Sequence, residues 1–445
     1  MRGGGGDDRF GAGGVNVVAV GADWPVMGLE RVLLDVTPLR SSPAFRRVWL
    51  GQTLSGFGGQ MSAVAVMFQI WRTTGSTAWT GAVGLAQAVP LIGLGLFAGA
   101  LADRVDRRRF YLWTTGGQAL CSVLLALQGF LGHLPPAGVL GLVALQSCFG
   151  AGVAPVSRTF VPHLLPEHQR AAGLALRRIA FQAAMLAGPA LGGLLVSGVG
   201  VGGCYLIDSL TFLAALFGAL GLPPMSPDAD TEPARPGLRG VRDGLAFVVR
   251  TPVVRGALLT DLAATVLSMP ISLFPLVNAE RFGGDPRTLG LFLTAVAVGG
   301  VVASLLSGTF TRSPRPGRVM LLASATWGAA LILFGLASDP WLGLFFLVLA
   351  GAADTVSVVA RSTVVQAHTP RALLGRVGAA EQIVGQAGPD LGNLRGGLVA
   401  SVTTGTTALV SGGLLCVLAV IAVGATTAEL RPSPDAGERG VRPSP

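Results

Sequence analysis

Residues 188–194 read GPALGGL, and two hundred positions later residues 388–394 read GPDLGNL. Gln182 and Ala187 precede the first copy as Gln382 and Ala387 precede the second, so the register extends beyond the motif. Both copies lie in mostly apolar runs, and a bilayer core of roughly 30 Å demands about 20 such residues of a helix. A repeat placed in corresponding spans predicts a chain built twice from one pattern.

Working outward from the two copies, twelve runs of this kind can be counted, at 48–71, 79–101, 110–132, 136–157, 173–197, 201–222, 253–279, 288–311, 317–338, 341–360, 377–400 and 404–427. A second echo, at an offset of 209, pairs Gly81 with Gly290 and Gly99 with Gly308. The break at 223–251 divides the runs six and six. Its first part, PPMSPDADTEPARPG, is too polar and proline-rich to pack a core. Its second part puts Leu238, Val241, Leu245 and Val248 on one helical stripe, as in a helix lying on a membrane surface, with Arg239, Arg242 and Arg250 elsewhere. The expected organisation is a tail at 1–45, a six-helix bundle at 46–222, a linker at 223–251, a second bundle at 252–427 and a tail at 428–445. The fold class is therefore an all-α membrane protein of twelve transmembrane helices in two pseudo-symmetric six-helix bundles. Parallel repeats of this sort occur in secondary transporters, with the substrate path between them.

Composition agrees: 51% of the 445 residues are hydrophobic and 12% charged. All 32 basic residues are arginine, so the lysines of phosphate-binding loops and Schiff bases are absent, which argues against ATP hydrolysis within the chain. The net charge of +9 has a membrane explanation. With both ends placed in the cytoplasm, every arginine falls in the tails, the inner loops or the inner ends of the runs except Arg72, Arg281, Arg287 and Arg395, the last inside the eleventh run and expected to snorkel outward. Nucleic acid is not needed to account for the charge. Cys121, Cys148, Cys204 and Cys416 are too scattered for a disulfide framework or a metal site. His133, His163, His168 and His368 match no metal spacing and read as loop residues, so neither a metal nor a cofactor is expected. The N-terminal stretch lacks the basic-then-apolar pattern of a signal peptide.

GALADRVDRRR at 99–109 resembles the loop between helices two and three of the major facilitator superfamily, with Asp106 where glycine is usual. Gly188, Pro189, Gly192 and Gly193 resemble the fifth-helix motif of antiporters in that superfamily, and Gly388, Pro389 and Gly392 repeat it. TPLRSSPAFRRVWLGQTLSGFG at 37–58, followed by TGSTAWTGAVGLAQAVP, is similar to the bacterial branch of enterobactin-type siderophore exporters, macrolide efflux pumps and a lysophospholipid transporter. The resemblance implies a conformational latch at Asp103, Arg104, Arg107, Arg108 and Arg109, with the acid facing the start of span eleven. It also implies a path lined by spans one, four, seven and ten, where Gln60 and Gln146 are candidate polar contacts. Gln146 takes the place of an arginine common in proton-driven drug exporters, and Arg312 stands in the second loop copy where Asp103 stands in the first.

An acid centred in a span costs about 2.5–3.5 kcal/mol on insertion scales and tends to face a cavity. Asp354 is the deepest on the path-lining spans, followed by Asp261, with Asp390 and Glu381 on span eleven. Asp354, Asp261 and Asp390 are the candidates for proton coupling, against the alternative that some of these acids are hydrogen-bonded packing residues or pair with nearby arginines. Arg361 lies seven residues from Asp354, about 10 Å along a helix, too far for direct pairing. The expected function is a monomeric, multi-pass inner-membrane transporter with both termini cytoplasmic. It would export an amphipathic small molecule by alternating access in exchange for protons, in contact with membrane lipids. A lysophospholipid flippase of the same fold and a non-transporting membrane sensor or partner protein are the alternatives.

Overall fold

The computed structural model describes residues 35–102, 105–132, 134–223, 225, 245–311, 313–370 and 373–427. Twelve helical spans follow one another: α1 (Pro43–Thr74), α2 (Thr77–Ala102), α3 (Arg107–Leu131), α4 (Pro136–Leu164), α5 (167–199), α6 (201–220), α7 (Pro252–Arg281), α8 (Pro286–Leu305), α9 (Pro316–Leu336), α10 (Pro340–Ala367), α11 (Leu374–Val402) and α12 (Gly405–Thr426). Helix starts are written in short side chains followed by proline. Ser42, Asp285 and Asp339 accept from backbone N–H groups of the first turns of α1, α8 and α10, and proline occupies the first helical position, where no donor is needed. The boundary between α5 and α6 is Gly200, whose φ of 74° a side chain would resist, so one 54-residue helical stretch is two spans. Gly200 falls in the gap between the runs at 173–197 and 201–222.

Nine helices among the described residues are long and apolar enough to cross a membrane by composition alone, the Glu167–Leu220 stretch counting as one. Helices α1 and α11 fall outside that group although they run 32 and 29 residues, longer than a bilayer core requires. Their polarity is directed inward: Gln60 and Asp390 line a cavity, Gln69 is buried, and Asn393 is buried beside α7. Large apolar side chains such as Trp113, Phe217, Leu322 and Trp341 are instead exposed on the outside, as lipid-facing positions are.

Within each half, small residues let backbones touch. Gly129 of α3 abuts Gly202 of α6, and Gly328 of α9 abuts Gly413 of α12 at equivalent places in the other half. The repeated motif does the same work twice. Gly188 and Gly192 lie against Gln60 and Met61 of α1, while Gly388 and Gly392 lie against Thr265 of α7. Helix α7 is interrupted at Met269 and Pro270 before a 3₁₀ turn at Ile271–Leu273. The buried amide of Asn393 accepts from the Ser272 N–H and the Ser272 hydroxyl donates to the Asn393 carbonyl, tying the break to α11.

Between halves, α2 packs on α11 and α5 on α8. Thr77 Oγ1 donates to the Gly397 carbonyl (2.7 Å), Thr80 Oγ1 to the Ser272 carbonyl (2.8 Å) and Arg287 Nε to Ser197 Oγ (3.0 Å). All three bonds lie at the end opposite the arginine-rich loops. Of the expected surface helix in the linker, residues 245–250 are helical, with Leu245 exposed and Val248 buried against Val253, Val254 and Val365. Leu238, Val241, Arg239 and Arg242 lie outside the described residues.

Candidate functional site

A cavity of about 530 Å³ lies between the halves. Its walls come from α1 (Gln60, Met67), α2 (Thr80, Gln87), α5 (Met185, Pro189), α7 (Asp261, Met269), α9 (Trp327), α10 (Asp354, Arg361) and α11 (Pro389, Asp390), among others. A second, of about 410 Å³, runs along the N-terminal half past Trp49, Gln52, Tyr111, Ser157 and Arg177, and shares Gln60 with the first. The inter-half bonds stand at one end of the larger cavity, near Thr80. Arg361, in the last two turns of α10, lines it toward the arginine-rich end.

The polar core of the site is an ion cluster. Arg361, only 6% exposed, pairs with Asp261 of α7 and, through Nε at 3.3 Å, with Glu381 of α11, whose Oε1 also accepts from Ser362 Oγ at 3.1 Å. Two of the four weighed acids are therefore held by an arginine, while the second oxygen of Asp261, Oδ2, is buried without a partner. Asp354 and Asp390 have no protein donor or cation within bonding distance among the described residues, and both face the cavity. Asp390 sits against Gly84 of α2, in the other half.

The remaining candidates are distributed as follows. Gln60 borders both cavities, with Nε2 3.1 Å from Met185 Sδ. Gln146 borders neither: it shares a face of α4 with Val153, which does, but stands about 10 Å further along. Pro189 and Pro389 line the larger cavity, and Gly193 meets the backbone of Pro286 and Arg287 across the interface. Arg395 does not snorkel outward. It turns inward and donates to the Leu267 carbonyl (2.5 Å), one of those orphaned where α7 breaks, because an unpaired carbonyl in lipid costs more than desolvating part of the guanidinium.

Asp103 and Arg104 of the proposed latch lie outside the described residues. The rest of that loop is bound to its own half. Arg107 meets His163 Nε2 at 2.9 Å and Arg108 donates to the Leu220 carbonyl at 2.6 Å, a cation at a helix C-terminus. Asp106, where the superfamily has glycine, caps α3 by accepting from Arg109 N (2.8 Å) and also from Met225 N (2.9 Å). Asp106→Ala should lower stability by about 1–2 kcal/mol, and Asp106→Asn by less, in thermal unfolding of the purified protein. His163 and His168 are not loop residues but belong to the last turn of α4 and the first of α5, and His368 caps α10; helix-end backbone there accepts their ring N–H groups or leaves them exposed. His133 lies outside the described residues.

Asp208 of α6 is a buried acid that sequence reasoning passed over. It is fully buried, accepts from Ser122 Oγ at 2.7 Å, and leaves Oδ1 without a partner beside Gly58 of α1. The signal was present as a lone acid in an apolar run, on a span outside the set that the resemblance put on the path. Nearby, Gln69 and Gln128 exchange amide bonds at 2.9 and 3.0 Å, and Tyr205 Oη donates to Gln69 at 2.8 Å, a closed polar network joining α1, α3 and α6.

The profile of the transmembrane secretion effector family matches residues 35–436. The enterobactin exporter EntS of Shigella boydii serotype 18 is 29% identical over 398 residues, covering 89% of this chain and 94% of that one; EntS of Escherichia coli O1:K1 is similar to the same degree over the same shares. Among solved structures, the nucleoside transporter NupG superimposes with a TM-score of 0.68 at 14% identity, covering 88% of this chain and 100% of that one. A bacterial homologue of the human lysosomal transporter Spinster, in an inward-facing unoccupied conformation, does so with a TM-score of 0.64 at 17% identity over 89% and 97%.

Proposed function

This chain belongs to the transmembrane secretion effector family of the major facilitator superfamily, and from that premise we propose that it exports an amphipathic small molecule, siderophore- or macrolide-like, in exchange for protons. The protein is a multi-pass membrane transporter and not an enzyme; direction, cargo and coupling are the reading argued here. The observation that carries it is a cavity between two repeated halves whose wall holds carboxylates with no partner among the described residues. An unpaired charge in a membrane interior is costly, and such groups mark ion and substrate paths. Asp354 is the coupling acid in this reading, with Asp261 and Asp390 beside the same path. The positive-inside rule puts the arginine-rich end, and with it both termini, in the cytoplasm. The inter-half bonds then close the outer end, and alternating access exchanges that closure for one at the inner end, biased by Asp103 of the 99–109 loop. The relatives' export of a siderophore supports the direction.

The test is export from proteoliposomes under an imposed pH gradient, with siderophores and macrolides as probes. Asp354→Asn should reduce gradient-driven export about tenfold or more while leaving counterflow of cargo intact, since only the proton step is removed. Wild-type rates in Asp354→Asn would overturn its coupling role.

A further inference from the structure

The charge on the cavity wall is unbalanced. Asp261, Asp354 and Asp390 line it, and Arg361 is the one arginine among its described lining residues. That guanidinium is already committed to Asp261 and to Glu381 behind it. Arg177 of the neighbouring cavity is engaged as well, donating to the Ser157 carbonyl at 2.8 Å. Among the described residues, what remains at the hollow is acid: Asp354 and Asp390 without protein partners, and Asp261, whose side chain is 9% exposed and whose Oδ2 is buried without a partner.

We propose that this cavity selects amphipathic organic cations, molecules with an apolar body and a protonated amine or comparable positive head. The inference rests on the transport reading and names the class of cargo within it. A bound cation supplies the counter-charge that the fold withholds, where burying carboxylates unpaired is expensive. An anionic cargo would meet like charge on α7, α10 and α11, with no free guanidinium among the described lining residues to receive it. A metal ion fits less well, because no three acid, histidine or cysteine side chains converge on one point among the described residues. The acids are instead spread along a wall whose other members, Met67, Met185, Met269, Leu293 and Trp327, suit an extended apolar body. Protons and cargo then compete for the same carboxylates, so one leaves as the other arrives.

The experiment uses the purified full chain in detergent and two probes of matched shape and opposite charge, tetraphenylphosphonium and tetraphenylborate, measured by equilibrium dialysis against protein-free micelles. The phosphonium should bind at least about tenfold more tightly than the borate, and Asp354→Asn or Asp390→Asn should each narrow that ratio about threefold or more. Equal or tighter binding of the borate by the wild type overturns the proposal, whatever the variants do. So does a ratio left unchanged in the folded double variant. Export from proteoliposomes is read separately. A phosphonium preference without export of any probe supports the cation site and removes the transport reading. Export of neutral or anionic probes without that preference keeps transport and removes the cation site.

Discussion

Arg361→Met should destabilise the folded protein by about 3–5 kcal/mol, the largest single-residue effect expected outside the tightest backbone contacts. The cause is not the worth of the lost ion pairs. Removing the guanidinium leaves Asp261 and Glu381 facing each other without a counter-charge, with their side chains only 9% and 18% exposed. Each must then stay desolvated and unpaired or draw water between α7, α10 and α11. If that account is right, the penalty belongs to the survivors. Asp261→Asn with Glu381→Gln, added to Arg361→Met, should recover most of the loss, because neutral side chains of the same shape have little to pay for burial. Denaturant unfolding of the four proteins measures this directly. A triple variant as unstable as Arg361→Met alone would mean that the guanidinium acts by packing rather than by charge.

The same cluster shows where the sequence is legible and where it is not. Spans can be read because apolar length is a local property, and the two halves because GPxLG repeats in register at 188 and 388. The break at Gly200 was visible as a polar-free but glycine-rich gap between two spans. Pairing is not local. Arg361 lies 100 positions from Asp261, and nothing on α10 announces which two of the four acids it meets. Arg395 illustrates the limit in another way. Snorkelling is the sound expectation for an isolated helix, and it fails because a neighbouring helix breaks at Pro270 and offers an orphaned carbonyl. Polarity misled in the opposite sense for α1 and α11. Among the groups that make them poor membrane helices by composition, Gln60, Asp390 and Asn393 face the cavity or the helix break, so their polarity is met inside the protein and not by lipid.

The glycines separate the fold from its motion, and Gly397→Leu should exploit that. Two sets of helices approach closely here. Within the N-terminal half, a Cβ on Gly51 would meet the Ala215 Cα at 2.7 Å and the Ala214 carbonyl at 2.8 Å, backbone that no rotamer change can move. Across the interface, a Cβ on Gly397 would run into the Thr77 carbonyl and lie 3.3 Å from the Gly81 Cα, again backbone. The clashes are alike, but their relief is different. Gly51→Leu forces apart helices that must stay packed in any conformation, so it should unfold the bundle or depress its melting temperature. Gly397→Leu is relieved by opening the end where α2 meets α11, as the alternating access proposed above requires. Overpacking of this kind costs about 1–3 kcal/mol, so the state closed at this end should lose between about fivefold and 150-fold of its population while thermal stability holds. Spin labels on the turns at 75 and 284 should report longer distances across that end, and export should fall by one to two orders of magnitude, since each cycle must pass through the disfavoured closure. Unchanged distances together with unchanged export would show that the α2–α11 contact is not part of the cycle, and the two halves would then have to exchange access by some movement that leaves this seam shut.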